Sequence, residues 1–195
     1  MSWVRQPSEK LLAVKPAPEI GPVSIRMEQP SDAPQIRDLV EASFPGLGEA
    51  LLVDRLRSDG DLVLSLVAED GGVVVGYIAF SRINIEGAEA PFGAVALAPL
   101  AVYSDYQSQG VATQLVREGH ACLAFLGETL SVVLGEPQYY GRFGYSNRRV
   151  AGFESEYQSP FLMGLSFGAA PWEGRLVYPP AFGALAEDAP LQAHD

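Results

Sequence analysis

The amino-acid sequence predicts one α/β domain in which strands and helices alternate along the chain. Two apolar segments flank the turn Asp70-Gly71-Gly72, a pattern typical of an antiparallel hairpin because glycine accepts the positive φ of tight turns. A third apolar run, Phe92–Val102, leads through a polar turn into the clearest amphipathic helix of the chain, residues 110–126. With 195 residues, the chain has room for one domain and some additional structure.

The first elements are a short strand and two helices. Ser24–Met27 alternates as a strand does, and Asp32 then offers an N-cap with Gln35 three positions on, as in a capping box. The helix that follows should end at Pro45-Gly46. Residues 51–56 predict a second, short helix.

The middle of the chain predicts three strands and the main helix. The hairpin strands cover residues 62–69 and 73–81, and the third strand contains Pro99, which lacks an N–H and therefore predicts a bulge or strand break. Gly127 stands where the residue after a helix C-cap belongs, so it should end the helix over residues 110–126.

The remaining elements are shorter. Leu130–Leu134 predicts a buried strand, and residues 137–143 predict a short helix closed by Gly144. After Gly144, the pattern up to about residue 182 predicts irregular strands.

The ends of the chain differ from its middle in composition. Residues 1–23 contain four prolines without a sustained period and predict an extended N-terminal arm. Residues 183–195 predict a tail. A single domain over residues 24–182 remains, in which residues 151–182 supply the C-terminal strands.

The charge and the cysteine content exclude several classes of function. Asp and Glu number 24 against 13 Lys and Arg, so the formal net charge is −11. Such a surface repels phosphate polymers and anionic lipids, which makes nucleic acid and membranes poor partners. Cys122 is the only cysteine and there are two histidines, so we expect neither a disulfide framework nor a metal site. Because no apolar stretch is long enough for a signal peptide or a membrane span, we expect a cytoplasmic protein.

The polar turn before the main helix could bind an anion. A helix N-terminus exposes unpaired N–H groups and carries a partial positive charge, and Gly110 would let a phosphate approach the backbone closely. The alternative is that residues 107–110 only cap the helix.

Aromatic residues are concentrated in residues 139–145. Tyr139 and Tyr140 point about 100° apart on a helix, so that one can join the core while the other presents its hydroxyl to a cleft. A tyrosine hydroxyl is a plausible proton donor only toward a strong base such as a departing thiolate. The alternative is that both are core aromatics.

Three motifs occur in order: Pro99-Leu100-Ala101-Val102, Gln107-Ser108-Gln109-Gly110-Val111-Ala112 and Tyr139-Tyr140-Gly141-Arg142-Phe143-Gly144-Tyr145. Together they resemble the GNAT-type N-acetyltransferase superfamily, and more narrowly its small bacterial branch with Pro-Leu-Ala-Val, Gln-x-x-Gly-x-Ala and Tyr-Tyr-x-Arg-Phe-Gly motifs. The resemblance covers about residues 24–182, and its specificity comes from the ordered set.

The resemblance implies a mixed, mostly antiparallel central sheet flanked by helices, in which a splayed pair of parallel strands, Phe92–Val102 and Leu130–Leu134, holds acetyl-CoA as the acyl donor. It places the pyrophosphate at the N–H groups after Ser108 and pantetheine beside the first strand, where a bulge N–H would stabilise the oxyanion. The cofactor-binding residues so implied are Leu100, Ala101, Val102, Gln107, Ser108, Gln109, Gly110, Val111 and Ala112. Tyr140 takes the position of the general acid for the CoA thiolate, Tyr139, Phe143 and Tyr145 look like packing residues, and Arg142 is either solvated or directed toward CoA.

The implied reaction is direct attack by a primary amine on the thioester. Deprotonating a lysine-like amine at pH 7 costs about 4 kcal/mol, so a base or a water chain is required. Phe92–Val102 contains no carboxylate. A carboxylate elsewhere in the chain could be the base, although each one is more often a solvated surface charge than a catalyst. The candidates are Glu69, Glu89, Glu136, Glu154 and Glu156.

The sequence indicates only the general class of the acceptor and of other partners. The acceptor is an amine on a small molecule or a peptide, residues 151–182 should wall its pocket, and the negative net charge suits a polyamine, an aminoglycoside or a lysine-rich peptide. A homodimer is compatible with the family. Two alternatives remain: a catalytically silent acyl-CoA-binding sensor or partner module, and a structural domain without a ligand.

Overall fold

The computed structural model describes residues 22–87 and 91–187, which form one mixed sheet with helices on both faces. The strands are β1 (Ser24–Met27), β2 (Leu62–Asp70), β3 (Val73–Glu86), β4 (Phe92–Val102), β5 (Leu130–Leu134), β6 (Gly152–Glu154), β7 (Leu162–Ser166) and β8 (Glu173–Val177). The helices are α1 (Ala33–Ser43), α2 (Gly48–Asp59), α3 (Val111–Phe125), α4 (Pro137–Tyr140) and α5 (Gly183–Glu187). No helix in these residues has the length and apolarity that crossing a membrane requires.

The sheet is antiparallel except at two strand pairs. Its main path runs β1-β2-β3-β4-β5-β7, and β8 pairs with the far end of β3 and with β6. The pair β4–β5 is parallel because α3 carries the chain across the sheet between them, and β6–β8 is also parallel. This is the mixed, mostly antiparallel sheet that the resemblance implied.

The side chains of β3 alternate between two core layers. Ile78 and Phe80 pack beneath α3, whereas Tyr77 and Ala79 face α1 and α2. Gly119 on α3 permits the close approach of that helix, because a Cβ there would lie 2.6 Å from Phe80 Cε2. The helices thus cover the sheet on both faces.

Pro99 interrupts the pairing of β4 with β3, as predicted. Ile78 pairs with Leu100 and Phe80 with Leu97, so that Ala98 and Pro99 together oppose one residue of β3. The result is a β-bulge in the middle of the strand that borders β5.

The predicted capping box at Asp32 and Gln35 is wrong. The Asp32 carboxylate accepts hydrogen bonds from Arg26 Nη1 at 2.6 Å and from the N–H of Gln29 at 2.8 Å, and it makes no cap hydrogen bond to α1. Gln35 Oε1 accepts from the N–H of Val74 at 3.0 Å. Both side chains are therefore bound by residues outside α1, Asp32 by Arg26 of β1 and Gln35 by Val74 of β3.

Two elements are longer than predicted, and one was missed. The second helix covers Gly48–Asp59 rather than 51–56, and the second hairpin strand continues to Glu86. The tail predicted from residue 183 is wrong for its first five residues, which form α5, because Ala184 is fully buried in the apolar cluster that contains Leu52 and Leu56 of α2. Residues 1–21 of the predicted arm and 188–195 of the predicted tail lie outside the described residues.

His120 lies on α3 in an aromatic environment. Its Nε2 is 3.1 Å from the hydroxyl of Tyr145, which is also 2.8 Å from Ser131 Oγ, and its ring packs edge-on against Phe143 and Phe167. Burial lowers the pKa of His120 to about 4.

The depressed pKa of His120 should make the fold acid-sensitive. Unfolded histidine titrates near pH 6.5, so the unfolded state binds more protons than the folded state as the pH falls from there toward 4, and stability present above pH 6.5 is lost. From pH 7 to pH 4.5 the free energy of unfolding should therefore fall in both proteins, but by about 2 kcal/mol less in His120→Leu than in wild type. This figure allows for partial screening of His120 by solvent. Urea unfolding at the two pH values measures this; equal losses in both proteins would contradict it.

Candidate functional site

A gap opens in the sheet where β4 and β5 diverge. The two strands pair over only three positions, from Val95 opposite Ser131 to Leu97 opposite Val133. Beyond these, β4 continues through the bulge while β5 ends at Leu134, and a cavity of about 240 Å³ lies at the divergence, lined from both strands. Among the described residues, the second half of β4 therefore has no strand partner on this side.

The backbone groups of Leu100 and Val102 are directed into this gap. The N–H of Tyr103 donates to Val75 O of β3 at 3.1 Å. Because backbone groups point to alternate sides along a strand, the N–H and C=O of Ala101 also face β3, and those of Leu100 and Val102 face away from it. Consistent with this, Val102 O accepts from Gln107 Nε2 at 2.9 Å. Since Pro99 has no N–H, Leu100 supplies the first free donor after the bulge.

The turn between β4 and α3 leaves backbone donors exposed. Ser108 and Gly110 both adopt positive φ, of 60° and 86°, and a Cβ at Gly110 would meet no atom within 4 Å. The first intrahelical hydrogen bond at this end runs from the N–H of Gln114 to Gly110 O at 2.9 Å. The N–H groups of residues 110–113 therefore have no acceptor within the helix.

The turn and the end of β4 share one cavity of about 590 Å³. Its lining residues are Leu100, Val102, Tyr106, Gln107, Ser108, Gly110, Val111, Ala112, Thr113, Tyr139 and Arg142. Seven of the nine residues predicted to bind a cofactor are among them. Ala101 is buried on the α1 side of the sheet, and the Gln109 side chain is directed elsewhere, with Nε2 donating to Asp105 O at 2.6 Å.

Arg142 is the charged side chain in the lining of that cavity. Its guanidinium carbon lies 4.5 Å from the centre of the Tyr139 ring, and Nε donates to Tyr139 O at 3.2 Å. The stacked ring fixes the cation at the rim of the cavity, where it would attract an anionic ligand.

Tyr140 lines the cavity at the strand divergence and not the one at the turn. Burial raises the pKa of its hydroxyl well above the usual value, so this group is protonated at neutral pH. Gly135 makes its position possible, because a Cβ at residue 135 would lie 2.3 Å from Tyr140 Cε2. Sequence reasoning did not identify this supporting glycine.

Tyr145 and Phe143 pack as predicted, whereas Tyr139, also predicted to be a packing residue, lines the cavity at the turn. Tyr145 is buried and is hydrogen-bonded to Ser131 and His120, and Phe143 packs on the ring of Tyr139 with centres 5.5 Å apart. Among the adjacent tyrosines, Tyr140 therefore faces the divergence, whereas Tyr139 belongs to the cavity at the turn.

The cavity at the divergence continues to the opposite face of the sheet. Its walls there are apolar and aromatic, and its charged lining residue is Glu49, in the first turn of α2. The residues on that side are Phe44, Glu49, Leu52, Tyr157, Tyr178, Phe182 and Leu185. Both cavities have Leu100 in their lining, so the two sides meet at the bulge.

Glu49 is the acidic residue that sequence reasoning missed. The candidates Glu69, Glu136, Glu154 and Glu156 do not line the divergence, and Glu69 accepts from Arg26 Nε at 2.7 Å; Glu89 lies outside the described residues. Half-buried Glu49 has no salt bridge or hydrogen bond to any residue that the structure describes. Nothing local in the sequence distinguishes it from the other carboxylates.

A metal-based site has no support in the described part of the chain. Across residues 22–87 and 91–187, no three His, Cys, Asp or Glu side chains are grouped so as to hold a metal ion. The polar groups that line the cavity at the divergence are backbone amides, the hydroxyls of Tyr140, Tyr157 and Tyr178, and one carboxylate.

Comparisons with known proteins agree with this geometry. The family model described as acetyltransferase (GNAT) domain matches residues 24–148. The Escherichia coli K12 protein named uncharacterized N-acetyltransferase YhbS is 48% identical over 122 residues, which are 62% of this chain and 72% of that protein.

Solved structures give the same result. The crystal structure of Escherichia coli YhbS in complex with CoA superposes with a TM-score of 0.77 at 36% identity, covering 83% of this chain and 92% of that one. A GNAT family acetyltransferase from Brucella melitensis in complex with acetyl-CoA superposes with a TM-score of 0.69 at 37% identity, covering 82% and 97%.

Proposed function

Because this chain belongs to the GNAT family of acetyltransferases, we propose that it transfers the acetyl group of acetyl-CoA to a primary amine in the gap between β4 and β5. Acyl transfer from CoA is the activity of its family, and its structural neighbours were crystallised with CoA and acetyl-CoA. The observation that carries the proposal is the divergence of β4 and β5 beside a glycine-containing turn with free N–H groups.

The cavity at the turn suits the phosphates and pantetheine of CoA. The N–H groups of residues 110–113 and the Arg142 cation favour the pyrophosphate, and the open space at Gly110 lets it approach the backbone. The gap-facing groups of Leu100 and Val102 suit the pantetheine amides, which would take the place of a neighbouring strand. Ala101, whose backbone groups face β3, takes no direct part in this arrangement, and Gln109 would contribute only through its backbone N–H.

The acetyl carbonyl would lie at the bulge. As the amine nitrogen attacks the carbonyl carbon, the C–N bond forms and negative charge collects on the oxygen, which the N–H of Leu100 would stabilise. The C–S bond then breaks and the electron pair leaves with the sulfur. Pro99 cannot donate here, so the role falls to Leu100.

Tyr140 would act on the departing sulfur. Its raised pKa makes the hydroxyl a weaker acid than a thiol of ordinary pKa, so its main contribution is a hydrogen bond to the developing thiolate. The proton needed to complete the CoA thiol then follows through this hydroxyl or from water.

Glu49 would act on the amine. A primary amine enters protonated at neutral pH, and a carboxylate both attracts the ammonium and accepts the proton that must leave before or during attack. Glu49 is suited to this role because it lines the same cavity as Tyr140 and no described residue pairs with its carboxylate.

Tyr140→Phe tests the role of the hydroxyl. We expect kcat to fall by about 100-fold, with KM for acetyl-CoA within about threefold of wild type, because only the departing thiolate loses a partner. Release of CoA measured with a thiol reagent gives both constants. Tyr103→Phe, which removes a hydroxyl outside both cavities, is the control. Unchanged kcat in Tyr140→Phe would refute this role.

Glu49→Gln tests the base. We expect kcat/KM for the amine to fall by about 100-fold at pH 7 and the deficit to shrink toward pH 10, where the amine is increasingly deprotonated in solution. Steady-state kinetics across this range measures the effect, with the exposed Glu118→Gln on α3 as control. A deficit that is the same at every pH would show that Glu49 does not remove the proton.

A further inference from the structure

We propose that the acceptor is a compact, apolar primary amine without a carboxylate, bound with its ammonium at Glu49 and its apolar body against Tyr157, Tyr178 and Phe182. This inference rests on the proposed function, since it concerns the acceptor side of the same gap. It narrows the acceptors that the net charge alone suggested, namely polyamines, aminoglycosides and lysine-rich peptides.

The charges that line the acceptor pocket favour an acceptor with one positively charged group. The described lining includes one carboxylate, Glu49, and neither lysine nor arginine. An amino acid acceptor would bury its carboxylate without a cationic partner, which is costly in an apolar pocket. The second ammonium of a polyamine would likewise enter apolar walls without an anionic partner. One ammonium and no other charge is the pattern that fits.

The shape of the pocket selects for an apolar body. Tyr157 and Tyr178 meet edge-to-face with ring centres 4.9 Å apart, and Tyr178 and Phe182 lie 5.1 Å apart. Burial raises the pKa of Tyr178 to about 12, so this ring is uncharged at neutral pH. Such mutually packed rings are preorganised and offer apolar contact as well as favourable faces for an ammonium.

The volume of the pocket favours a small acceptor. At about 30 Å³ of liquid volume per water molecule, the cavity of about 240 Å³ holds the equivalent of about eight waters. The acetyl group must share this space. An amine of the size of phenethylamine fits within this volume, whereas a larger acceptor would have to leave part of itself outside it.

Matched pairs of amines test the inference on the unmodified full-length protein. Phenethylamine and phenylalanine differ in one carboxylate, and hexylamine and 1,6-diaminohexane differ in one ammonium. We expect kcat/KM to be at least about tenfold higher for the first member of each pair, because only the second buries an unpaired charge. Spermidine and an N-acetyl-lysine amide complete the set, and CoA release with mass detection of the acetylated amine gives the rates.

Phe182→Ala links the preference to the rings. We expect KM for phenethylamine to rise about tenfold while KM for butylamine changes by less than about threefold, since the slimmer amine makes less contact with the ring. Phe125→Ala, at a side chain that is 92% exposed on α3, should change neither. If Phe182→Ala does not fold, Phe182→Leu gives the smaller change in the same direction.

The outcomes separate this inference from the proposed function. Faster acetylation of phenylalanine, diaminohexane, spermidine or the lysine amide than of the apolar monoamines would overturn the inference and leave the transferase intact. Acetyl-CoA binding in calorimetry without acetylation of any amine would overturn both and favour the silent module. Preference for phenethylamine that Phe182→Ala leaves unchanged would overturn the assignment of the rings.

Discussion

The divergence of β4 from β5 is the constraint on which the site depends. Backbone N–H and C=O groups in a folded protein are almost always paired, yet beyond Leu97 the gap-facing groups of β4 have lost the neighbouring strand. The bulge at Ala98 and Pro99 keeps β4 bonded to β3 while this separation develops. An extended ligand with amides at strand-like spacing satisfies such an edge in the way that a strand would, which is why pantetheine suits it.

The other parts of the site are arranged around this gap by contacts distant in sequence. The hydrogen bond from Gln107 to Val102 O joins the turn to the end of β4, and Tyr106 anchors the same turn to Asp70 at 2.8 Å. Gly135 admits the Tyr140 ring beside the gap. On the opposite face, α2 and the C-terminal segment supply Glu49 and the three rings. Donor and acceptor can therefore approach from different cavities and meet at Leu100.

Elements with strong local patterns could be predicted from the sequence, whereas features set by distant contacts could not. The hairpin, the main helix and the interruption at Pro99 follow from periodicity and from the missing proline N–H. The capping box failed because Arg26 and Val74 bind the side chains that would have formed it. Glu49 was missed for the same reason, since only the packing of α2 beside β4 brings it to the gap.

Hydrogen–deuterium exchange with and without acetyl-CoA would test the central claim, that the ligand pairs with the free edge of β4 and the start of α3. We expect slower exchange at the amides of Leu100, Val102 and residues 110–113, with no change in β1 and β2 as internal reference. Gly110→Trp, whose side chain would enter the open space at the turn, should abolish the protection. Protection elsewhere, or none at these amides at saturating acetyl-CoA, would contradict the claim.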